Sequence, residues 1–256
     1  MDIVFIPNID LKNGRSDPYH YSIKSWQYWC DKNNIKLIEW KEPILDPSVF
    51  KITLQRWWVL DILEHNNINY DQVLMVDADT IIHPNCPNFF KETNNQFSAV
   101  LNNGCYEWTT RSINQWGNEL FPNNSKINTW NYINGGFIIG NKSIKFIYNE
   151  IKDFYLNNIN KINELTNKIK AGTDQTIVNY IIKWFNININ YLPECYNLQD
   201  LFRKNLLHFP NHSWFSDELH FLNCGWIYHF NAIPQHERNV SYWMERTYNH
   251  LIKINS

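Results

Sequence analysis

The chain has 256 residues, of which 44% are hydrophobic and 19% are charged. This balance is typical of a globular protein and excludes a disordered or fibrous chain. The formal net charge is −2, so the chain lacks the basic field that holds a phosphate backbone, and we expect no nucleic-acid partner.

Hydropathy and cysteine content favour a cytoplasmic location. No apolar run approaches the roughly 20 residues needed to span a bilayer, so we expect no transmembrane segment. The first residues lack the basic start and long apolar centre of a signal peptide. The five cysteines are scattered without a Cys-x-x-Cys pair, which favours reduced core thiols over a disulfide framework or a zinc site.

The first hundred residues alternate between strand and helix patterns. Apolar runs predict strands at 2–7, 35–40 and 97–101, with another inside 70–82, and helical spacing predicts helices over 18–33 and 48–65. This β-α-β-α-β order predicts an α/β fold with a mostly parallel central sheet flanked by helices. Ligands of such sheets bind beyond the carboxyl ends of the strands.

The remaining residues predict a less regular half. Residues 103–131 are polar and are expected to form a loop with a short helix, and residues 194–225 show no clear period. The other predicted elements are strands at 132–140, 187–192 and 226–230 and helices over 143–157, 173–185 and 237–253. Because the chain contains no linker and no repeat, we expect a single domain over 1–256.

Two acidic residues, Asp77 and Asp79, follow the apolar run VLMV. In an extended strand, residues two apart point to the same side, which would place both carboxylates together where the strand leaves the core. Like charges so close resist ionisation, and a hard divalent cation such as Mg²⁺ or Mn²⁺ removes that conflict. Alternatively, Asp79 or Thr80 starts a turn and Asp77 merely closes the strand.

Five segments, in order along the chain, resemble GT-A glycosyltransferases, which use nucleotide-diphosphate sugars. YDQVLMVDADTII resembles their Asp-x-Asp strand, and FKITLQRWWVLDIL resembles the helix before it. YINGGFIIGNKS resembles their Asn-x-Gly strand, and GTDQTIVNYII resembles their Asp-Gln helix start. IYHFNAIP resembles the segment that often supplies a metal-binding histidine. The resemblance leans toward small glycogenin-like or galactosyltransferase-like members, and it implies a nucleotide-binding half at 1–101 and an acceptor-side half at 102–256.

The resemblance implies a site for Mn²⁺ or Mg²⁺ made by Asp77, Asp79 and His229, with Asp77 binding the metal or the ribose. Alternatively, His229 is a buried histidine bonded to backbone, and His208 and His220 compete for the ligand role. The motif of many relatives is His-x-x-Gly followed by lysine. Here the segment reads HFNAIPQ and lacks both the glycine and the lysine.

The resemblance also implies contacts with the donor substrate. Lys51 and Arg56 would offset the diphosphate or bind sugar hydroxyls, although both could equally be solvated cations on a helix. The loop after the first strand would surround the base and ribose, and the glycine pair would let a ligand approach the backbone or form a bulge. The implied donor-binding residues are Asn8, Asp10, Lys51, Arg56, Asp77, Ala78, Gly135 and Gly136, with Arg15 and Tyr19 as weaker candidates.

The implied catalytic residues are Asp174, Gln175 and Asn134. In the resembling enzymes the matching acid meets sugar or acceptor hydroxyls, and in inverting members an acid near this position can serve as the general base. A local explanation is also complete, because Thr173 could cap a helix whose dipole favours Asp174. Three tryptophans in the polar middle segment, Trp108, Trp116 and Trp130, are candidate acceptor platforms.

These observations predict a metal-dependent glycosyltransferase that moves a hexose from a nucleotide-diphosphate sugar, with a UDP-sugar favoured, to a hydroxyl of a glycan, glycolipid or protein acceptor. The first alternative is a haloacid-dehalogenase-like phosphatase with Asp77 as its nucleophile. That family favours Thr or Val where Ile81 stands. The second is a non-catalytic sugar-binding module, which the aromatic content suggests.

Overall fold

The computed structural model describes all residues except 13, 124–125, 208–217, 236–237 and 256. Its main feature is a six-stranded sheet in the order β2-β1-β3-β6-β5-β7, accompanied by a two-stranded sheet made of β4 and β8. The strands are β1 Ile3–Pro7, β2 Lys36–Trp40, β3 Gln72–Val76, β4 Thr80–Ile82, β5 Ser98–Leu101, β6 Ile133–Asn141, β7 Asn190–Leu192 and β8 Ile227–His229.

Five of the six strands in the large sheet run in the same direction. β1 pairs in parallel with β2 and β3, and β5 pairs in parallel with β7. β6 is antiparallel to both of its neighbours, β3 and β5. The prediction of a mostly parallel sheet is therefore confirmed, with β6 as the reversed strand.

The described residues form seven α-helices. They are α1 Tyr19–Asn33, α2 Ile52–Gln55, α3 Val59–His65, α4 Tyr106–Leu120, α5 Lys145–Ile169, α6 Thr173–Trp184 and α7 Val240–Asn255. α5 continues to Ile169, well beyond the predicted end at residue 157. The helix predicted over 48–65 is divided by a 3-10 turn at Arg56–Trp58. The division coincides with Arg56, whose Nε donates to the Thr53 carbonyl at 3.0 Å.

The segment expected to be mainly a loop contains the 15-residue helix α4. Its buried face combines Ile113 and Trp116 with three small or polar residues, Thr109, Ser112 and Gly117. These small residues interrupt the apolar period on which a helix prediction depends. The packing explains their size, because a Cβ atom at Gly117 would collide with the hydroxyl of Tyr180.

The strands alternate their side chains between two cores on opposite faces of the large sheet. Along β1, Ile3 and Phe5 pack with α5 and α6, whereas Val4 and Ile6 pack with α1. A third cluster joins the small sheet to α7. The alternation fixes the register of β1 and β3, and therefore fixes which residues leave the sheet at its carboxyl edge.

The thiols and helices bear on two further expectations. All five cysteines are unpaired, but only Cys30 and Cys86 are buried, and Cys224 is exposed, so the expectation of core thiols holds for part of the set. Among the described residues, no helix combines the length and the apolar character needed to cross a bilayer.

Candidate active site

A cavity of about 330 Å³ opens beyond the carboxyl ends of β1 and β3. This is the edge of the sheet at which ligands of α/β proteins bind, and the volume is within the range of small-molecule sites. The structure brings ten of the predicted site residues to its wall. They are Arg56, Asp77, Ala78, Asp79, Asn134, Gly135, Gly136, Asp174, Gln175 and His229. Arg15, Tyr19 and Trp108 line it as well.

Three predicted donor-binding residues, Asn8, Asp10 and Lys51, are not among the described residues of the wall. The Asn8 amide donates to Glu39 Oε1 at 2.7 Å. Asp10 is exposed and accepts hydrogen bonds inside its own loop, and Lys51 is exposed where α2 begins. Their neighbours Ile9, Leu11 and Ile52 face the cavity instead. A one-residue error along an extended or helical segment changes the side that a side chain faces.

The three candidate tryptophans lie in different environments. Trp108 lines the cavity, whereas Trp116 is fully buried and donates its indole N–H to the Ala171 carbonyl at 2.6 Å. Trp130 is exposed and is not among the described wall residues. Of the three candidate acceptor platforms, Trp108 is the one whose position allows contact with a ligand in this cavity.

A turn, not an extended strand, brings Asp77 and Asp79 together. β3 ends at Val76, and the chain turns through Asp77, Ala78 and Asp79 into β4. β4 then pairs antiparallel with β8, which places His229 opposite Thr80. The two carboxylates are neighbours as expected, but the geometric reason given by strand alternation is wrong. The pairing of β4 with β8 is what adds the histidine.

Asp77, Asp79 and His229 form what we call the acidic–histidine cluster. His229 Nε2 lies 3.2 Å from Asp79 Oδ1 and 3.5 Å from Asp77 Oδ2. One ligand atom of each residue lies within 4.8 Å of the others. Nε2 is buried and makes no hydrogen bond of good geometry with the described residues, although it lies within ion-pair distance of both carboxylates.

This donor set fits a divalent cation. Two carboxylate oxygens and one imidazole nitrogen suit Mn²⁺, and carboxylates also suit Mg²⁺. The Nε2 atom argues for such a role because it is buried without a hydrogen bond among the described residues and lies beside two carboxylates on the cavity wall. His220, a competing histidine, is exposed beside Glu218, and His208 lies outside the described residues.

The cluster is electrostatically coupled. Burial lowers the pKa of His229, but Asp79 and then Asp77 raise it, and the net result is a raised pKa. Burial raises the pKa of Asp79, but His229 lowers it more, and the net result is a lowered pKa. Without a cation, a charged imidazole therefore balances the carboxylates.

This coupling predicts a pH-dependent cost for His229→Gln in the presence of a chelator. The pKa of folded His229 is above its ordinary 6.5, so its contribution is complete below pH 6.5 and is lost as the pH rises through the raised value. Because the pKa of Asp79 is lowered, its carboxylate contributes stability above pH 3.8 and loses that contribution as the pH falls through the lowered value. We therefore expect the Tm of His229→Gln to lie furthest below the wild-type Tm between pH 3.8 and pH 6.5. A difference that increases toward alkaline pH would contradict the coupling.

Arg56 connects the cluster to Asp174. Its Nη1 forms an ion pair with Asp77 Oδ1 at 2.6 Å and donates to the Gly135 carbonyl at 2.8 Å, and its Nε lies 3.6 Å from Asp174 Oδ2. Burial lowers the pKa of Arg56, but Asp77 and Asp174 raise it, and the net result is a raised pKa. Arg56 is therefore a permanent buried cation between two carboxylates, not a solvated side chain.

Asp174 and Gln175 form the opposite wall, at the start of α6. Burial raises the pKa of Asp174 and Arg56 lowers it, with a net raised pKa. Gly172, with φ of +61°, is the N-cap of α6, so the expectation that Thr173 caps this helix is wrong. Gln175 Oε1 accepts from the Gly135 N–H at 2.9 Å, and its Nε2 is enclosed by protein atoms. Gln175 therefore holds the backbone of β6 at the cavity wall.

The two glycines on β6 should respond differently to alanine. A Cβ atom at Gly136 would lie 2.5 Å from His229 Cε1 and 2.6 Å from Asp77 Oδ2, closer than atoms can pack. At Gly135 the nearest atom is Gln175 Cβ at 3.5 Å, an ordinary contact. We expect Gly136→Ala to destabilise the protein by roughly 1–3 kcal/mol in urea unfolding, and Gly135→Ala to cost much less. Equal losses of stability in the two variants would show that the acidic–histidine cluster can move to accommodate a Cβ atom at Gly136.

The loop after β8 offers another test of backbone geometry. Ala232 occupies the glycine position of the resembled His-x-x-Gly motif and has φ of +55°, a left-handed conformation that strains alanine. We expect Ala232→Gly to stabilise the protein by roughly 0.5–1 kcal/mol, since relief of strain exceeds the extra freedom of the unfolded chain. Ala171→Gly, without a positive φ, should destabilise instead. Chemical denaturation of both variants measures the difference.

Comparisons with known proteins bear on the fold. No protein-family model matches the chain, and no curated protein sequence matches it. A glycosyltransferase involved in the glycosylation of the major capsid of PBCV-1 superposes with a TM-score of 0.53 at 9% identity, over 98% of this chain and 98% of that one. The chain therefore has the fold of a glycosyltransferase. The predicted fold class is confirmed.

Two further solved structures are less similar. GlyE of Streptococcus pneumoniae TIGR4 has a TM-score of 0.47 at 16% identity, with 99% of this chain covering 63% of that one. Mouse xyloside xylosyltransferase 1 also has a TM-score of 0.47, at 11% identity, over 91% of this chain and 100% of that one. These two TM-scores are too low to support a conclusion about this chain.

Sequence reasoning missed the residues that surround Asn134. Asn134 is 4% exposed, and its amide is bonded to Asn102, Asn197 and Gln199. It borders the cavity, and its role as a catalytic residue stays a prediction. Asn197, Leu198 and Gln199 alternate polar, apolar and polar, and this short alternation was the available signal.

Proposed function

We propose that this protein is a metal-dependent glycosyltransferase that transfers a sugar from a nucleotide-diphosphate sugar to an acceptor hydroxyl. The observation that carries the proposal is the acidic–histidine cluster with its unpartnered Nε2, which lies on the wall of a cavity at the carboxyl edge of the sheet. A glycosyltransferase fold supports the assignment. Mn²⁺ or Mg²⁺ and a UDP-sugar are the favoured partners.

Asp77, Asp79 and His229 would hold the cation. When bound, Mn²⁺ or Mg²⁺ supplies Lewis-acid stabilisation of the charge that develops on a departing diphosphate. Arg56 holds Asp77 by one oxygen and leaves the other oxygen directed toward His229. Arg15 adds positive charge on the same wall, which favours an anionic donor.

The residues of α6 and β6 would position the sugar and the acceptor. The acceptor hydroxyl attacks the anomeric carbon, and the bond to the diphosphate oxygen breaks. Asp174 presents a partly buried carboxylate with a raised pKa, suited to accept a hydrogen bond or a proton from a hydroxyl. Gln175 would hold the Gly135 backbone at the wall, and Trp108 would offer an aromatic face to the acceptor. Most of the acceleration then comes from positioning and charge stabilisation.

The phosphatase alternative is less well supported. A nucleophilic Asp77 needs an oxygen that can reach phosphorus, but Asp77 Oδ1 is bound to Arg56 at 2.6 Å and Oδ2 faces His229 at 3.5 Å. A sugar-binding module needs neither the acidic–histidine cluster nor the buried cation beside it. A thermal-shift panel separates the three, since a transferase is stabilised by UDP or GDP only with Mn²⁺.

The decisive experiment is a screen of UDP- and GDP-hexoses for Mn²⁺-dependent hydrolysis, followed by transfer to a mixture of glycan, glycolipid and peptide acceptors. We expect release of the nucleoside diphosphate from at least one donor, and loss of that release with a chelator. If every donor stays intact while a generic phosphatase substrate is hydrolysed, the phosphatase alternative replaces the proposal.

A further inference from the structure

A chain of buried amide side chains leads from His229 into the core beneath the cavity. Its members, which we call the amide chain, are Asn102, Asn134, Asn197 and Gln199. All four are at most 6% exposed, so each donor and acceptor must be paired inside the protein. His229 Nδ1 lies 3.1 Å from the side-chain oxygen of Asn197. The question is which partner carries the proton of that hydrogen bond.

A backbone group fixes the direction of the chain at its centre. The Gly136 N–H, which can only donate, lies 2.8 Å from one side-chain atom of Asn134, so that atom is the oxygen. The Asn197 atom 3.0 Å from the same oxygen must then be its amide nitrogen. The other Asn197 atom is consequently an oxygen, and it faces His229 Nδ1.

The hydrogen bonds of Gln199 give the Asn134 amide the same orientation, independently of Gly136. The Leu101 carbonyl can only accept, so the Gln199 atom 2.8 Å away is the amide nitrogen. The oxygen of Gln199 therefore faces Asn134, and the Asn134 atom bonded to it is the donating nitrogen. This leaves the oxygen of Asn134 on the side of Gly136, as the first argument requires.

The Asn102 branch agrees as well. The Thr109 hydroxyl donates to the Cys105 carbonyl at 3.1 Å, so its oxygen accepts from the Asn102 amide at 3.0 Å. The oxygen of Asn102 then accepts from Asn134 Nδ2 at 3.1 Å. Three backbone groups, at Gly136, Leu101 and Cys105, thus orient every amide in the chain without reference to His229.

We propose that Asn197 is a positioning residue that holds neutral His229 in the Nδ1–H tautomer. The oxygen of Asn197 can only accept, so the ring must donate from Nδ1, and the lone pair is left on Nε2, facing Asp77 and Asp79. The opposite tautomer would set the Nδ1 lone pair against the Asn197 oxygen, a buried conflict that no ligand in the cavity can relieve. In the Nδ1–H tautomer the Nε2 lone pair faces two carboxylates, and a bound cation relieves that conflict. The inference rests on the proposed function for its purpose, which is to present Nε2 to a cation.

The tautomer can be measured with Mg²⁺, a diamagnetic cation, which neutralises the two carboxylates. In ¹⁵N-histidine-labelled protein saturated with Mg²⁺, the two nitrogens of His229 have distinct chemical shifts. A His229→Gln spectrum identifies its signals. We expect a protonated Nδ1 and an unprotonated Nε2 in the wild-type protein. A protonated Nε2 would overturn the inference, and this arm needs no variant of Asn197.

Two substitutions at Asn197 separate positioning from structural support. Both Asn197→Leu and Asn197→Asp lose the amide that donates to Asn134, but Asp keeps an oxygen for the Nδ1 proton. We expect Asn197→Asp to keep the Nδ1–H tautomer and Asn197→Leu to lose it. If the two variants give the same His229 spectrum, Asn197 is not a positioning residue.

Metal affinity supplies a second readout through the electron paramagnetic resonance signal of free Mn²⁺. We expect Asn197→Leu to weaken Mn²⁺ binding roughly 10–100-fold and Asn197→Asp to stay near the wild type. The matched control is Asn141→Leu, a buried asparagine at the far end of β6 that bonds Asn95 and Ser143. Equal losses in both Asn197 variants overturn the inference. If the wild type binds neither Mn²⁺ nor Mg²⁺, the proposed function fails, whereas cation binding with a protonated Nε2 overturns the positioning role alone.

Discussion

Asp79→Asn is expected to lower kcat/KM for donor turnover by about 10³-fold, which corresponds to several kcal/mol of lost transition-state stabilisation. The substitution keeps the size of the side chain but removes the charge that faces His229 Nε2 at 3.2 Å. Mn²⁺ affinity should fall in parallel. Steady-state kinetics on the donor found by the screen, together with Mn²⁺ titration, measure both effects.

The matched control is Asp153→Asn, an exposed aspartate on α5 that does not line the cavity. It makes the same chemical change at a distance from the cluster and should leave kcat/KM near the wild-type value. An Asp79→Asn variant with wild-type turnover and wild-type Mn²⁺ affinity would remove Asp79 from the site.

Removal of Arg56 is expected to cause the second large effect, a loss of about 3–5 kcal/mol of stability in Arg56→Leu. The variant leaves the carboxylates of Asp77 and Asp174 in a site that the guanidinium had neutralised. Arg56→Lys should restore little, because an ammonium cannot reach Asp77, the Gly135 carbonyl and the Thr53 carbonyl together. Urea unfolding measures both variants.

A double variant makes the test specific. Arg56→Leu combined with Asp174→Asn removes one of the two stranded carboxylates and should recover part of the lost stability. Lys168→Ala serves as the control, because its pairing with Glu119 is at the exposed surface, where ion pairs contribute little. If Arg56→Leu lowers the free energy of unfolding no more than Lys168→Ala does, the buried guanidinium does not stabilise the site.

Much of the fold could be predicted because buried strands have a strong pattern. The apolar runs that became β1, β3 and β6 were visible, and the acidic pair follows β3 directly. Resemblance added His229, which no periodic pattern could connect to a site 150 residues earlier in the chain. The structure supplies that connection through the pairing of β4 with β8.

The parts that could not be predicted share a physical cause. α4 presents small polar residues to the core, so its hydrophobic period is weak. Asn197 and Gln199 lie in a segment without regular structure, and their importance depends on partners distant in sequence, such as Asn134. Asn8 and Lys51 are one residue away from side chains that face the cavity, a distinction that strand and helix boundaries decide.

Calorimetric titration of UDP and GDP into the protein, with Mn²⁺ and again with a chelator, shows directly whether a cation at the acidic–histidine cluster holds a diphosphate. We predict binding of at least one nucleoside diphosphate with Mn²⁺, and loss of that binding both with the chelator and in Asp79→Asn. Binding of neither nucleotide in the presence of Mn²⁺, or equal binding with and without the cation, would contradict a metal-held diphosphate at the acidic–histidine cluster.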